Sequence, residues 1–304
     1  MKKIFWAVTF CFMLIFNATV SAEELDAKQA LREAMLANAG EDNRVFHEEL
    51  FLFVPGIQSE LELFAVAGTD TFKSSGNFFA WTTADNGEGS EFNVPFYIDY
   101  NGKEMRIYYQ TDKKWYQIKS PTIAAKITDT ISSPTQDELE TMLDEVKEVT
   151  ILRDSDTQRT FLVRVDGDKF ADNFKKELEK NPADNVTAEE KQIVDKFFSY
   201  LDTGFRKADT WYVWTIGKAD GKTKNIAFHL SGLLQETAIA ALDDKDQVWP
   251  EPIREILENI AYYSEVKSYT TVLNSDARKK LEIPKNVLKA KVVENISDAA
   301  KTKK

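Results

Sequence analysis

One cysteine, two histidines, 12 glycines and 8 prolines are all that 304 residues supply of the types that build metal centres, disulfides and phosphate-cradling loops. A single cysteine excludes a thiolate zinc site and a disulfide framework, and leaves no realistic thiol nucleophile. No glycine-rich phosphate loop and no nucleophile-elbow serine occurs either. Positive charge is short as well, since 39 Lys plus Arg face 50 Asp plus Glu, for a net charge of −11. So acidic a chain repels nucleic-acid phosphates and anionic membrane surfaces. What the sequence does hold is 43% apolar and 29% charged residues, the balance of a globular protein.

The first 22 residues read as a cleavable leader. Lys2 and Lys3 are followed by an apolar run of 13 residues, Ile4 to Phe16, and by Val20-Ser21-Ala22 as a small-residue cleavage site. The run is shorter than the roughly 18 to 20 residues that a membrane-spanning helix needs, so a transmembrane anchor is not expected. Cys11 lies inside this segment after Val8-Thr9-Phe10, which is no lipobox. Removing residues 1–22 takes away two lysines and no acid, leaving a net charge of −13 and no cysteine. The expected organisation is a signal peptide at 1–22, one domain at 23–296 and a polar tail at 297–304, with the mature chain periplasmic or secreted and monomeric.

Along the mature chain the hydrophobic period changes several times. Glu24 to Ala39 has helical spacing, with Leu31, Ala34 and Met35 on one face and Gly40 as its stop. Arg44 to Val54, Ile57 to Ala67 and Gly76 to Ala84 read as long strands separated by Pro55-Gly56 and by Ser74-Ser75-Gly76. Phe92, Val94, Phe96, Ile98 and Tyr100 then alternate with polar and mixed residues, and Asn101-Gly102 marks a tight hairpin. Pro95 has no amide hydrogen for a ladder and points to an edge or bulge. Met105 to Thr111 and Lys114 to Lys119 are the next strands, joined by Asp112-Lys113.

Ser133-Pro134-Thr135-Gln136 is a capping box for a helix whose stripe is Leu139, Met142, Leu143 and Val146. Val149 to Arg153 and Arg159 to Asp166 form a strand pair. Asp168 to Lys180 and Thr187 to Phe205 are helical, the second capped by Thr187 and Glu190 and stopped at Gly204. Trp211 to Gly217 and Lys224 to Leu234 form a hairpin around Asp220-Gly221, and Ala238 to Val248 is ambiguous. Pro250 to Tyr262 is a helix, Glu265 to Leu273 a strand, and Pro284 precedes a short helix. Strands joined by short turns, with helices inserted in blocks, indicate an α+β fold built on an antiparallel sheet.

About ten strands, several of nine or more residues, are expected to curl, and a curled sheet has a concave face. One face of most strands is aromatic or branched aliphatic. Phe96, Ile98, Phe161, Val163, Phe228 and Leu230, with Trp115 and Trp211, are the candidate lining of an apolar cavity, and Phe197, Phe198 and Phe205 its candidate lid. Each of these is also a natural core residue. Sealing several hundred Å² of an apolar chain would supply about 5 to 10 kcal/mol at roughly 25 cal/mol per Å².

Met105-Arg106-Ile107-Tyr108-Tyr109 through Lys114-Trp115-Tyr116-Gln117-Ile118, the Val149 to Asp166 strand pair and the closing Leu281-Glu282-Ile283-Pro284-Lys285-Asn286-Val287-Leu288-Lys289-Ala290 follow a leader, a helix and long strands. This order resembles the periplasmic lipoprotein-carrier superfamily of LolA-like and LppX-like proteins. The resemblance implies a half-barrel sheet wrapped around helices and an apolar cavity for a lipid, an acyl chain or another hydrophobic small molecule. The superfamily also includes envelope sensors, so an envelope protein is the alternative partner. Helices around Asn181 to Arg206 and Asp243 to Tyr262 make this chain longer than a minimal carrier.

No catalytic residue, metal or cofactor is called for. His47 stands beside Glu48 and Glu49, but strand neighbours point to opposite faces and do not converge. His229 stands between Phe228 and Leu230. Asp154, Asp156, Asp166, Asp168 and the Asp243-Asp244-Lys245-Asp246 cluster lack the spacing and central glycine of a calcium loop and read as turn carboxylates.

Overall fold

The computed structural model describes residues 23–38, 44–68, 71–83, 89–119, 136–180, 188–273 and 281–293. The leader with Cys11, the stop at Gly40, most of the Ser133 to Gln136 capping box, Thr187 and the 297–304 tail lie outside them. In chain order the elements are α1 (Glu23–Asn38), β1 (Arg44–Val54), β2 (Ile57–Gly68), β3 (Thr71–Thr83), β4 (Gly89–Tyr100), β5 (Met105–Thr111) and β6 (Lys114–Lys119). There follow α2 (Gln136–Asp144), β7 (Val146–Asp154), β8 (Gln158–Val165), α3 (Gly167–Lys180), α4 (Ala188–Lys207), β9 (Trp211–Gly217) and β10 (Thr223–His229). The last are α5 (Ser231–Leu242), α6 (Glu251–Tyr263), β11 (Glu265–Leu273), a 3-10 turn at Val287–Lys289 and β12 (Lys291–Val292).

The strands hydrogen-bond in the order β12-β6-β5-β4-β3-β2-β1-β11-β10-β9-β8-β7. This is one mostly antiparallel sheet of twelve strands, not closed into a barrel, in an α+β fold with six helices among the described residues. The strand beyond expectation is β12, parallel to β6 and only two residues long, too short to carry a period. Two compact units divide the chain.

The first unit comprises Met1–Asn38, Leu52–Pro55 and Gln136–Ser268. In its sheet the register aligns Phe161 with Trp214 and Ile226, and Val163 with Tyr212 and Phe228. Paired residues share a face, and all six side chains are buried. Buried Leu31, Ala34 and Met35 of α1 lie on the helix face that the spacing assigned. Arg32 of α1 pairs with Glu140 of α2.

At the end of α1, Asn38 carries a buried polar network. Its Nδ2 donates to the Ala34 carbonyl at 2.5 Å and to the Gly221 carbonyl at 3.0 Å. Its Oδ1 accepts from the Thr223 amide at 2.9 Å and the Thr223 hydroxyl at 3.0 Å. The Thr223 oxygen in turn accepts from Trp214 Nε1 at 3.1 Å.

The helices correct several expectations. α2 ends at Asp144, so Val146 belongs to β7 and not to the helical stripe. Gly204 does not stop α4, which runs on to Lys207. A Cβ at Gly204 would collide with Thr237 Oγ1 and sit 3.1 Å from the Leu233 carbonyl, so the glycine is there for close approach to α5. The strand expected to reach Leu234 stops at His229, and α5 begins at Ser231 and runs to Leu242, so only the Ala238 to Leu242 part of the ambiguous Ala238 to Val248 stretch is helical.

The second unit comprises Ala39–Phe51, Gly56–Thr135 and Tyr269–Lys304. Ser74-Ser75-Gly76 is not a turn, because β3 starts at Thr71 and carries all three in mid-strand. Gly76 permits contact: a Cβ there would run into the Glu62 carbonyl and lie 2.7 Å from Phe96 Cζ. Pro95 pairs with Asn77 on one side, and the β4–β5 register begins only at Phe96, so no β5 partner is deprived of its missing amide.

The Asn101-Gly102 connection is longer than a two-residue hairpin, since Tyr100 pairs with Met105. Asn101 Oδ1 accepts from the Lys103 and Glu104 amides at 3.2 and 3.0 Å. Asp112 and Lys113 do make a two-residue turn, with φ of 50 and 60 degrees. A left-handed backbone costs a non-glycine residue about 1 to 2 kcal/mol. Lys113→Gly is therefore expected to raise stability by about 0.5 to 1 kcal/mol, seen as a higher urea midpoint at unchanged slope.

Candidate functional site

In the second unit four rows of paired residues define one sheet face. Leu63, Gly76, Phe96, Tyr109 and Tyr116 form one row, and Ala65, Ser74, Ile98, Ile107 and Ile118 the next. Ala67, Phe72, Tyr100 and Met105 lie to one side of these, and Leu61, Phe78 and Val94 to the other. The face is apolar across five strands. Ala65, Phe72, Tyr100 and Met105 are its buried cluster, while Leu63, Phe96, Ile98, Ile107 and Ile118 are only partly buried. At the far end it runs out into Phe92, 55% exposed and edge-on to Phe78 at 6.4 Å, and Ile57, 39% exposed. No helix belongs to this unit among the described residues apart from the 3-10 turn.

Trp115 is on the opposite face. It pairs with Gln110 and packs against Tyr97 at 5.5 Å, so it does not share a surface with Phe96 and Ile98. The alternation Tyr116, Ile118 in the same strand was the signal for the row that faces Phe96.

In the first unit Phe161, Val163 and Phe228 are packed core, with Phe161 and Val163 at 0% exposure. Leu230 is not on a strand but immediately precedes α5, where with Val165, Gly167, Phe170, Phe205, Thr210 and Leu233 it lines a void of about 10 Å³, room for one water molecule. Trp211 is on the other face of the sheet, stacked on His229 at 4.6 Å. Of the lid candidates, Phe205 is buried against Phe170 at 4.7 Å and Phe174 at 5.3 Å, and Phe198 meets Phe174 at 6.1 Å and Phe197 at 5.8 Å. These rings bind α3 to α4. The structure thus brings together Phe96 with Ile98, and separately Phe161 with Val163 and Phe228.

The polar candidates are engaged elsewhere. His47 stacks on Phe64 at 4.2 Å and its Nε2 lies 3.1 Å from Glu62 on the neighbouring strand, whereas Glu48 meets Thr270. Asp244 accepts from Lys196 at 2.8 Å, the Tyr200 hydroxyl at 2.5 Å and the Asp246 amide at 2.9 Å. Those bonds, the Lys196 one first, hold its carboxyl down at about 2. Asp168 joins Asp172 and Asp202 around Arg206, which ties α3 to α4. Asp154 is held by Arg159 and Lys218, and its carboxyl lies below the usual range through those hydrogen bonds. Among the described residues no three His, Cys, Asp or Glu side chains are arranged to hold a metal ion.

One titratable group was not legible in the sequence. Glu145 occupies the corner between α2 and β7, where burial pushes its carboxyl up to about 7 against the opposing effect of a hydrogen bond from Asn173. A helix continuing to Val146 would have placed Glu145 away from the apolar stripe, and only the helix ending at Asp144 turns it inward.

No family model matches the chain, and no curated protein matches it in sequence. No described helix is long and apolar enough to cross a membrane.

Proposed function

We propose that this chain binds a lipid, acyl chain or other hydrophobic molecule on the apolar sheet face of its second unit, outside the cytoplasm and without catalysing a reaction, as a LolA-like carrier with a half-barrel sheet would. The observation that carries this reading is the row Ile98, Ile107 and Ile118 beside Phe96. Four large apolar side chains on adjacent strands are left partly buried, and the same face continues into exposed Phe92. An acyl chain covering several hundred Å² of such a surface gains about 5 to 10 kcal/mol before ordering costs. No charged group is needed for that gain. The leader sequence and the acidic charge accord with work in an envelope or extracellular compartment.

The test uses a fluorescent fatty acid titrated into the mature protein. Wild type is expected to bind saturably, and organic extraction of protein purified from its own compartment is expected to yield a lipid by mass spectrometry. Ile98→Asn, which sets an amide into the isoleucine row, is expected to weaken binding at least about tenfold, or 1.4 kcal/mol. Trp115→Ala on the opposite face is expected to leave it unchanged. No saturable binding by wild type, or equal loss in both variants, overturns the reading.

A further inference from the structure

Within the second unit, the rows that define the apolar face of β2 to β6 also fix where charge can stand on it. Paired residues share a face, and the same face returns at every second residue along a strand. Continued two residues past Tyr109 and Tyr116, the pattern reaches Thr111 and Lys114, which pair across the Asp112-Lys113 turn. Lys114 is the one charged residue among the described positions that the register assigns to this face in β2 to β6. Glu60, Glu62, Glu91 and Asp99, with Lys73 and Arg106, fall on the opposite face.

The face is graded from end to end. Phe72, Tyr100 and Met105 close one end as buried residues, and Phe96, Ile98, Ile107 and Ile118 are partly buried along its middle. Thr111 and Lys114 lie at the other end, where the lysine is exposed. Lys114 stands four residues from Ile118 on the same strand, a separation of about 13 Å at roughly 3.3 Å per residue. Among the described residues Lys114 has no ion-pair partner. With Lys113 set against Asp112 beside it, the turn is net positive on a chain of net charge −11. An ammonium at the rim of a surface that otherwise holds no charge is complementary to an amphiphile with one acidic group.

We propose that the ligand of this face is a monoanionic amphiphile of the fatty-carboxylate class, with its acidic group at Lys114 and Thr111 and its chain laid along Phe96, Ile107 and Ile118 toward Met105. The assignment rests on the apolar face being the binding surface: apolar area supplies the affinity, and Lys114 sets the headgroup and the direction of the chain. A lysine ammonium is a compact point charge with three donors, matched to one acidic group rather than to a phosphate dianion. Because Lys114 is exposed, its contribution is that of a surface ion pair. That is enough to choose between headgroups and too little to hold a ligand by itself.

Isothermal titration of the full mature chain with dodecanoate, dodecanol and dodecylammonium at low salt and about pH 7.5 tests the assignment. Lys114→Gln is expected to weaken dodecanoate about fivefold and to leave dodecanol within about twofold of wild type. Lys114→Glu, which turns the attraction into repulsion, is expected to weaken dodecanoate at least about tenfold and to tighten dodecylammonium. Lys103→Gln makes the same change in net charge in the turn between Tyr100 and Met105, at the other end of the face. It is expected to leave all three ligands unchanged. Dodecanoate affinity that is unaltered in Lys114→Gln, or that falls equally in Lys103→Gln, overturns the headgroup assignment while the apolar site stands. Failure of all three amphiphiles to bind wild type overturns the binding surface, and the assignment with it.

Discussion

Replacing Asn38 by alanine is expected to lower the unfolding free energy by about 3 kcal/mol or more. The side chain is 7% exposed and makes four hydrogen bonds, two donated and two accepted. Its loss strands the Thr223 amide and hydroxyl and the Gly221 carbonyl, and each buried group left without a partner costs about 1 to 3 kcal/mol. Asn38→Asp separates this account from simple loss of packing. Its shape is the same, but an ionised carboxylate turns oxygens toward two carbonyls where the amide had donated. A carboxyl kept protonated there restores one donor, so its folded pKa is raised and the variant is expected to recover stability as pH falls. Urea denaturation of both variants at pH 4.5 and 7.5 checks this, and an alanine variant within 1 kcal/mol of wild type would show the network to be incidental.

Gly76→Val is the second large effect, with an expected loss of about 3 kcal/mol or more and disruption of the apolar rows. The general expectation has the opposite sign, because glycine in a strand costs roughly 0.5 to 1 kcal/mol relative to alanine. Here the added carbon meets the Glu62 carbonyl, which belongs to the adjacent strand and cannot retreat without opening the β2–β3 ladder, and the Phe96 ring. Gly76→Ala is expected to destabilise too, by less. Thermal unfolding of the pair measures the trend, and fatty-acid binding by whatever remains folded reports whether Phe96 has moved. A stabilised alanine variant would contradict the close approach.

Period and turn chemistry carried much of the fold. The β11 span, the helical face of Leu31, Ala34 and Met35, and the turn at Asp112-Lys113 are local in origin, since each depends on alternation or on a backbone preference within a few residues. The misreadings share a cause. Ser74-Ser75-Gly76 looked like a turn and Gly204 like a stop because small residues mark breaks locally, whereas here they permit a neighbouring strand or helix to come close. Trp115 and Trp211 are apolar strand residues like Phe96 and Phe161, but one step along a strand carries a side chain to the other face, and the register puts both tryptophans there.

By itself the sequence determined the scarcity of cysteine and histidine, the acidic charge, the α+β class and the odd-and-even patterning of the strands, because composition and period are properties of short segments. Tertiary structure alone decided which apolar residues became packed core and which stayed partly open, and it placed a carboxyl at the α2–β7 corner. Those outcomes depend on register between strands and on where a helix ends, and both are set by contacts among residues far apart in the chain.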